Sequence, residues 1–245
     1  MVHGGGHGGW CYGPVARRLR AAGHEVHAPT LTGLGERSHL LGPDIDLDTH
    51  ITDVVQVLHY EDLRDVILVG HSYGGMVITG VADRAADRIG HLVYLDAATP
   101  RNGQSLVDVA GPLMQMAREA GRVVDGVELV LFPEAALPFY GVTDPDALTW
   151  MSERLTPHPW RCFEQPLRLE NEAALRAIPQ SHIVCTETLP TRDPELLARA
   201  REAGRLWDID TGHDLMITEP DAVAELLAGL AGPVATAEAR PEGAG

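Results

Sequence analysis

The sequence predicts an α/β fold: a mostly parallel sheet with helices on both faces and an inserted cap. Short β-branched runs alternate with longer helical patterns over most of the 245 residues, which is typical of a parallel sheet covered on both sides. One apolar run, "VILVG", breaks at a serine flanked by glycines and resumes as a helical pattern. Residues 100–170 follow neither rhythm, and we interpret them as the cap.

The elements of this fold are read from hydrophobic pattern, turn residues and helix signals. Strands are expected at residues 25–29, 65–70, 91–97, 181–187 and 205–210. Helices are expected at residues 11–22, 49–60, 74–86, 193–203 and 219–230. Only Met1 and Val2 precede the glycine-rich start "HGGGHGGW", so a first strand at this point is expected to be very short.

These elements predict one domain with an insertion. The core is expected to comprise residues 1–99 and 171–231, and the cap residues 100–170, which are rich in Pro, Met and aromatic side chains. Residues 232–245, "GPVATAEARPEGAG", are small, polar and rich in Pro and Gly, which predicts a disordered tail.

Charge and composition limit the partners. A formal net charge of -16 repels phosphate backbones and anionic lipid surfaces, so we expect neither nucleic acid nor membrane as a partner. A small-molecule substrate fits better, and a homodimer is left open. The sequence contains no lysine, which excludes Schiff-base chemistry and a Walker-type phosphate loop.

Cysteine usage and the start of the chain suggest a compartment. Cys11, Cys162 and Cys185 are scattered and form no C-x-x-C pair, which favours a reducing compartment and argues against a disulfide framework or a zinc–thiolate site. No apolar run approaches membrane-spanning length, and no signal-peptide pattern is present. We expect a cytoplasmic location.

The serine between the glycines is the candidate nucleophile. "GHSYG", residues 70–74, matches the G-x-S-x-G elbow, in which a strand ends, one residue takes a strained backbone and a helix begins at once. Glycine two residues either side of Ser72 removes side chains that would collide with the neighbouring strand and helix. An incidental serine in a strand-to-helix turn is the alternative, and the apolar strand before and apolar helix after it favour the nucleophile.

A serine hydroxyl needs a base, and position selects it among twelve histidines. His213 follows the last predicted strand and precedes the last helix, where a loop can reach over the sheet to Ser72. In chains with this elbow the triad order is serine, acid, histidine, and His213 is the last histidine. We interpret His71 as a structural member of the elbow. Eight other histidines are interpreted as surface or satisfied core residues: His24, His27, His39, His50, His59, His91, His158 and His182.

Developing negative charge on a carbonyl oxygen requires an oxyanion hole of two N–H groups. The glycine-rich turn "VHGGGHGGW", residues 2–10, matches the loop that donates one of them, and the residue after the nucleophile donates the other. Gly5 N–H and Tyr73 N–H are the predicted pair. No metal or organic cofactor is implied.

With these motifs placed, the chain resembles the α/β-hydrolase superfamily, and within it the small esterase and hydroxynitrile-lyase branch that includes plant methylesterases. The resemblance spans residues 2–231 and is carried by "HGGGHGGW", "GHSYGG", "VYLDAATP", "IVCTE" and "GHDLMITEP". It implies the fold and a serine nucleophile more specifically than it implies a substrate.

The triad acid is where this chain departs from the plant relatives. Those relatives carry an aspartate just after the "IVCTE"-like strand, where this chain has Thr188, and a small apolar residue at the position of Asp96. Some dehalogenases of the same fold place the acid after the earlier strand. We therefore prefer Asp96 as the acid and keep Glu187 and Asp193 as alternatives.

The resulting prediction is a serine hydrolase, an esterase that cleaves an ester or similarly activated acyl bond of a small, largely apolar molecule through Ser72, His213 and Asp96. Cyanohydrin cleavage is disfavoured, because the lyases use a lysine beside the catalytic histidine and this chain has Asp214 there. Two alternatives stay open: a non-hydrolytic enzyme of elimination, cyclisation or rearrangement, and a receptor for a small ligand. Candidates for the pocket wall lie in the cap: Leu113, Met114, Met116, Phe132, Phe139, Tyr140, Trp150, Trp160 and Phe163.

Overall fold

A computed structural model describes residues 1–132 and 134–232 of the chain. The tail expected to be disordered therefore lies, from residue 233 onward, outside the described residues. The strands are β1 (Val66–His71), β2 (Ile89–Leu95), β3 (Arg122–Val124), β4 (Val127–Val130), β5 (His158–Pro159), β6 (Gln180–Cys185) and β7 (Leu206–Ile209).

Helices flank the strands along the chain. They are α1 (Gly13–Ala21), α2 (Leu47–Tyr60), α3 (Gly74–Arg84), α4 (Leu106–Glu119), α5 (Pro145–Ser152), α6 (Arg161–Glu164), α7 (Glu172–Ala177), α8 (Pro194–Glu202), α9 (Leu215–Thr218) and α10 (Pro220–Ala231). Within the described ranges, none of them combines the length and hydropathy that crossing a bilayer requires.

The central sheet is parallel and has the strand order β1-β2-β6-β7. Successive side chains of a strand point to opposite faces, and both faces are covered. Leu68 and Leu92 pack with α2 and α3 in one buried cluster, whereas Val69 and Val93 pack with α1 and α10 in another. The predicted α/β architecture is confirmed, and the carboxyl ends of β1, β2, β6 and β7 meet at one edge, where ligands bind in such folds.

The start of the chain joins this sheet through a single isolated bridge. Val2 N–H donates to the Val69 carbonyl oxygen at 2.7 Å, and the Val2 carbonyl oxygen accepts from His71 N–H at 3.0 Å. The glycine-rich turn begins at the next residue. The chain therefore enters the sheet beside the end of β1 and turns at once toward the edge where the strands end.

The strand expected at residues 25–29 is not formed, and that prediction was wrong. The segment has the strand pattern but lacks a ladder of backbone hydrogen bonds, which a strand requires. Its neighbour is Met1, whose ammonium group donates to the His27 carbonyl oxygen at 2.7 Å. A cavity of about 420 Å³ lies between this segment and β1.

The segment interpreted as a cap contains structure that its irregular pattern did not predict. β3, β4 and β5 form a small antiparallel sheet, and α4, α5 and α6 surround it. The boundaries at residues 100 and 170 stay a prediction. Tyr140, in this segment, contacts the loop that follows β7: its carbonyl oxygen accepts from Asp214 N–H at 2.9 Å.

Candidate active site

Ser72 occupies the turn between β1 and α3 with a left-handed backbone. Its φ is 53°, a region that L-residues other than glycine seldom adopt. A Cβ atom at Gly70 would lie 2.6 Å from the Gly74 carbonyl oxygen, and one at Gly74 would lie 2.6 Å from the Val2 carbonyl oxygen. Both glycines are therefore required by backbone contacts, and the tight turn holds Ser72 at the end of β1.

His213 and Asp96 are joined directly. His213 lies in the loop between β7 and α9, and its Nδ1 is 2.5 Å from Asp96 Oδ2. Both side chains are buried, at 5% and 0% exposure. Asp96 directly follows β2 and has a left-handed backbone, with φ 45°. The loops that follow β2 and β7 thus bring a carboxylate and an imidazole together at the edge where β1 ends in the serine turn.

The two alternative acids lie elsewhere. Asp193 caps α8, since its carboxylate accepts from Glu195 N–H at 2.9 Å. Glu187 is exposed and lies near Gly212, where an added Cβ would be 3.0 Å from Glu187 Oε2. Neither forms a hydrogen bond or ion pair with His213 in the part of the chain that the structure describes.

The Asp96 carboxylate receives several donors besides His213. Thr188 Oγ1 donates to Oδ1 at 2.6 Å, Cys185 N–H donates to the same oxygen at 3.3 Å, and Arg192 Nη2 lies 2.6 Å from it. Burial alone would raise the pKa of Asp96, but the hydrogen bond and charge of His213, then Arg192 and Thr188, outweigh it and hold that pKa well below its usual range. Asp96 is therefore an anion at neutral pH.

The glycine-rich loop after Val2 lies directly against the serine. A Cβ atom at Gly4 would be 2.8 Å from Ser72 Cβ. The loop conformation is fixed by His3, whose Nδ1 bonds to the Gly4 carbonyl oxygen at 2.9 Å while its Nε2 accepts from Leu31 N–H at 3.0 Å. Because Nε2 accepts, the proton of the neutral ring is on Nδ1, which donates to Gly4.

Two further histidines hold the next peptide of this loop. His7 Nδ1 bonds to the Gly5 carbonyl oxygen at 2.8 Å, and Gly6 N–H donates to His158 Nδ1 at 3.2 Å. Among the described residues, neither Gly5 N–H nor Tyr73 N–H has a hydrogen-bond acceptor. The loop and the start of α3 therefore leave two amides free on either side of the serine turn, and Gly6 N–H is already engaged.

A buried ion pair connects this loop to the loop of His213. His7 Nε2 lies 3.0 Å from Asp214 Oδ2, and the two side chains are 1% and 0% exposed. Burial would lower the pKa of His7, but the charge and hydrogen bond of Asp214 raise it above its ordinary value. His71 Nε2 donates to the His213 carbonyl oxygen at 2.9 Å, and burial, more than any neighbour, lowers the pKa of His71 to about 3. Buried polar side chains, the His7–Asp214 pair and His71, therefore lie directly beside the loop of His213.

The base and the serine are not joined by a hydrogen bond in this structure. Among the described hydrogen bonds, His213 is linked to Asp96 and accepts from His71, and Ser72 Oγ has no such bond to His213. Such bonds are often long in enzymes without substrate and tighten when it binds. The arrangement thus presents the acid–imidazole contact fully formed and the imidazole–serine contact open.

One cluster has metal-ligand residue types. His50, His158 and Cys162 offer atoms within 4.8 Å of one another, all buried. His158 Nδ1 accepts from Gly6 N–H, so Nε2 carries the proton of the neutral ring and neither nitrogen has a free lone pair. Burial raises the pKa of the Cys162 thiol well above its ordinary value. This donor set is therefore protonated at two of three positions and does not fit a cation.

Aromatic side chains border the site. The chain has three phenylalanines, and all three lie here. A Cβ atom at Gly5 would be 3.3 Å from the Phe163 ring and 3.5 Å from the Phe132 ring, and the Phe139 ring lies 4.8 Å from that of His213. Of the other predicted wall residues, Tyr140 lies 6.4 Å from the His213 ring, and Trp160 packs behind Phe163 and under Arg118. The remaining ones include residues that are exposed or packed elsewhere: Leu113 (44% exposed), Met116 (67%) and Trp150 (against Trp10).

Sequence reasoning missed the residues that support the candidates. Arg192 and Thr188 surround the acid, and His7 and His158 hold the glycine-rich loop. His158 is a buried core residue, as expected, but the sequence did not show that its partner is Gly6 N–H in the glycine-rich loop. Its separation of 152 residues from that amide leaves no local signal in the sequence.

Comparison with known sequences places the chain among esterases. The alpha/beta hydrolase family profile matches residues 1–226. A carbendazim hydrolyzing esterase from a Nocardioides species is 39% identical over 244 residues, covering 94% of this chain and 98% of that one. Putative methylesterase 13, chloroplastic, from Arabidopsis thaliana is 35% identical over 133 residues, covering 48% of this chain and 28% of that one.

Comparison with solved structures gives the same placement. An extracellular alpha/beta-hydrolase from a Paenibacillus species, described as sharing structural and functional homology with tobacco salicylic acid binding protein 2, aligns with a TM-score of 0.76. It is 26% identical, and the alignment covers 92% of this chain and 95% of that one. The chain therefore belongs to the alpha/beta hydrolase family, and within it to the branch of carboxylic ester hydrolases that includes the plant methylesterases.

Proposed function

We propose that the chain hydrolyses esters of small, largely apolar molecules through a triad of Ser72, His213 and Asp96. One observation carries this proposal: the 2.5 Å contact between His213 Nδ1 and Asp96 Oδ2, which leaves the other ring nitrogen free beside a serine held in a strained turn. A buried acid bonded to one imidazole nitrogen fixes the tautomer that accepts a proton on the other.

The chemistry proceeds in two displacements. Ser72 Oγ attacks the carbonyl carbon while His213 Nε2 takes its proton, and Asp96 stabilises the imidazolium. The free amides of Gly5 and Tyr73 bind the oxygen that becomes negative. The tetrahedral intermediate expels the alcohol, which receives the proton from His213. Water then attacks the acyl group on Ser72 by the same steps and releases the acid.

The surroundings support an apolar or aromatic substrate. Phe132 and Phe163 lie against the oxyanion loop, and Phe139 lies against His213. Flat rings packed around a reacting carbonyl favour aryl or short alkyl groups over charged ones. The relative named for carbendazim, a methyl carbamate of a flat aromatic ring, suggests that methyl carbamates belong beside methyl esters among the substrates to test.

The test combines covalent labelling with turnover. We expect a fluorophosphonate probe to label the protein, and p-nitrophenyl esters of graded length, methyl esters of aromatic acids and carbendazim to report turnover. Ser72→Ala should abolish labelling and lower turnover by about three orders of magnitude or more. Ser38→Ala, which changes an exposed serine far from the turn in sequence, is the matched control and should retain both.

Three outcomes decide the proposal. Labelling and ester turnover that both depend on Ser72 support it. Equal labelling of Ser72→Ala removes this serine from the mechanism. Labelling of the wild type without turnover of any ester or carbamate contradicts the hydrolase and favours the non-hydrolytic enzyme or the ligand receptor.

A further inference from the structure

A cationic side chain lies against the candidate triad acid. Arg192 Nη2 is 2.6 Å from Asp96 Oδ1, the oxygen that does not contact His213. The same guanidinium donates to the Asp96 carbonyl oxygen at 2.8 Å and to the Ala97 carbonyl oxygen at 3.2 Å. Arg192 is therefore fixed by three contacts to the corner that holds the acid.

This position matters because the acid's charge acts on the imidazole. A carboxylate beside a histidine favours the protonated ring, and a cation on the same carboxylate offsets part of that effect. The Arg192 side chain is only 21% exposed, and Asp96 is fully buried, so water screens this pair less than a surface pair.

Other charged or titratable groups also face His213. They are His71 from the elbow, Asp214 from the same loop as His213, Tyr140 from the cap, Cys185 at the end of β6, Glu187 in the loop after β6, and Asp96 after the end of β2.

Most of these groups contribute no net charge at neutral pH. Burial keeps His71 and Tyr140 neutral, lowering the pKa of the first and raising that of the second. Asp214 is paired with His7 at 3.0 Å, and Glu187 is exposed to solvent. The carboxylate of Asp96, with its arginine, is left as the charged group in direct contact with the catalytic base candidate.

We propose that Arg192 is a positioning residue that holds the candidate acid and, by neutralising part of the charge of Asp96, weakens the preference of that carboxylate for a protonated His213. The proposal rests on the proposed triad. Its consequence is that the neutral imidazole needed to accept the serine proton persists to lower pH than an unopposed aspartate would allow. The same contacts hold Asp96 in its left-handed conformation.

The experiment replaces the charge and follows the histidine itself. Arg192→Met removes the positive charge, and Arg192→Lys keeps the charge but lacks the planar guanidinium. Arg199→Met, which removes an exposed arginine of α8, is the matched control. The protonation of His213 is followed by NMR of the imidazole, assigned with His213→Asn, and the pH dependence of kcat/KM is measured in parallel with Ser72 labelling.

We expect both pH midpoints to move in the same direction, upward. In Arg192→Met the midpoint of the His213 titration and the acid limb of kcat/KM should both move up by about 0.5 to 1 pH unit. Arg192→Lys should move them by less than half as much, and Arg199→Met should leave them in place. A purely structural arginine would lower stability or kcat without moving either midpoint.

The failures are distinguishable. If wild-type protein neither labels nor turns over esters, the proposed function fails, while the NMR midpoint still reports on Arg192. Unchanged midpoints in a folded Arg192→Met, or a shift to lower pH, overturn the proposal. If Arg192→Met does not fold, Arg192→Gln decides it, because this variant removes the charge but keeps a hydrogen-bond donor: an upward shift of the midpoint supports the electrostatic role, and an unchanged or lowered midpoint contradicts it.

Discussion

Replacing Asp96 by asparagine tests the triad through the geometry around the acid. Asp96 Oδ1 faces Arg192, Thr188 and the Cys185 amide, whereas Oδ2 faces His213 and, at 3.2 Å, the weakly donating thiol of Cys185. An asparagine has one oxygen and one NH2 group. We expect the oxygen to stay with the three donors, so that the NH2 group points at His213 Nδ1.

That orientation enforces the wrong tautomer. His213 Nδ1 must then accept, so its proton moves to Nε2, the nitrogen that should take the proton of Ser72. In serine proteases the same change lowers kcat by about 10⁴. We expect a loss of about 10³ to 10⁴ here, equivalent to about 4 to 5.5 kcal/mol in the activation barrier, with little change in KM.

The assay is kcat for a p-nitrophenyl ester, with circular dichroism to show that the variant is folded. Glu187→Gln and Asp193→Asn are the matched controls, because each neutralises one alternative acid, and each should cost less than a factor of about five. An Asp96→Asn enzyme that keeps a tenth of wild-type activity, or a Glu187→Gln enzyme that loses as much as Asp96→Asn, would refute the assignment of the acid.

Three further predictions concern stability, each measured by urea denaturation. Gly75→Ala should lower the free energy of unfolding by about 3 kcal/mol, because its Cβ would lie 2.0 Å from a backbone carbonyl oxygen. In the control Gly229→Ala, in α10, the added Cβ meets nothing within 4 Å, so that variant should be as stable as the wild type or more stable. Equal stability changes in the two variants would contradict the contact at Gly75. Burial lowers the pKa of His3 and His71 to about 3, so the unfolded state binds more protons than the folded state below about pH 6.5. The free energy of unfolding should therefore fall by about 2 to 3 kcal/mol for each pH unit as the pH drops from 6.5 toward 3. A stability that does not change with pH in this range would count against neutral buried rings. His7→Gln leaves the buried carboxylate of Asp214 without its ion-pair partner and should lower the free energy of unfolding by about 3 kcal/mol at pH 7. A variant as stable as the wild type would contradict this prediction.

The parts of the site that could be predicted are those encoded locally. The glycines around Ser72 follow from backbone contacts within one turn and its neighbours, and the position of Asp96 follows from the end of the strand next to the serine strand. Thr188 has no charge, which made the earlier carboxylate the better candidate, and its hydroxyl instead donates to Asp96 at 2.6 Å.

The parts that could not be predicted depend on long-range contacts. His7 and Asp214 are 207 residues apart in sequence, and Arg192 follows Asp96 by 96. No periodicity or motif relates such positions, because only the folded sheet brings the loops together. The strand expected at residues 25–29 shows the converse: its pattern is correct for a strand, but a pattern cannot supply the hydrogen-bonded neighbour.

The single bridge at Val2 affects the order in which parts of the protein unfold. Local openings that break few hydrogen bonds cost less free energy than global unfolding, and amide hydrogen exchange detects them. Within the described residues, Val2 is the one point where the start of the chain bonds to β1, and Gly5 lies three residues further on. Beyond Val2 the loop is held by bonds of His3, His7 and His158 and not by a strand ladder, so an opening that breaks the bridge and these few bonds would displace the Gly5 amide while Ser72 and His213 keep their places beside the sheet. The ability to stabilise a negative oxygen is therefore expected to be lost before the fold.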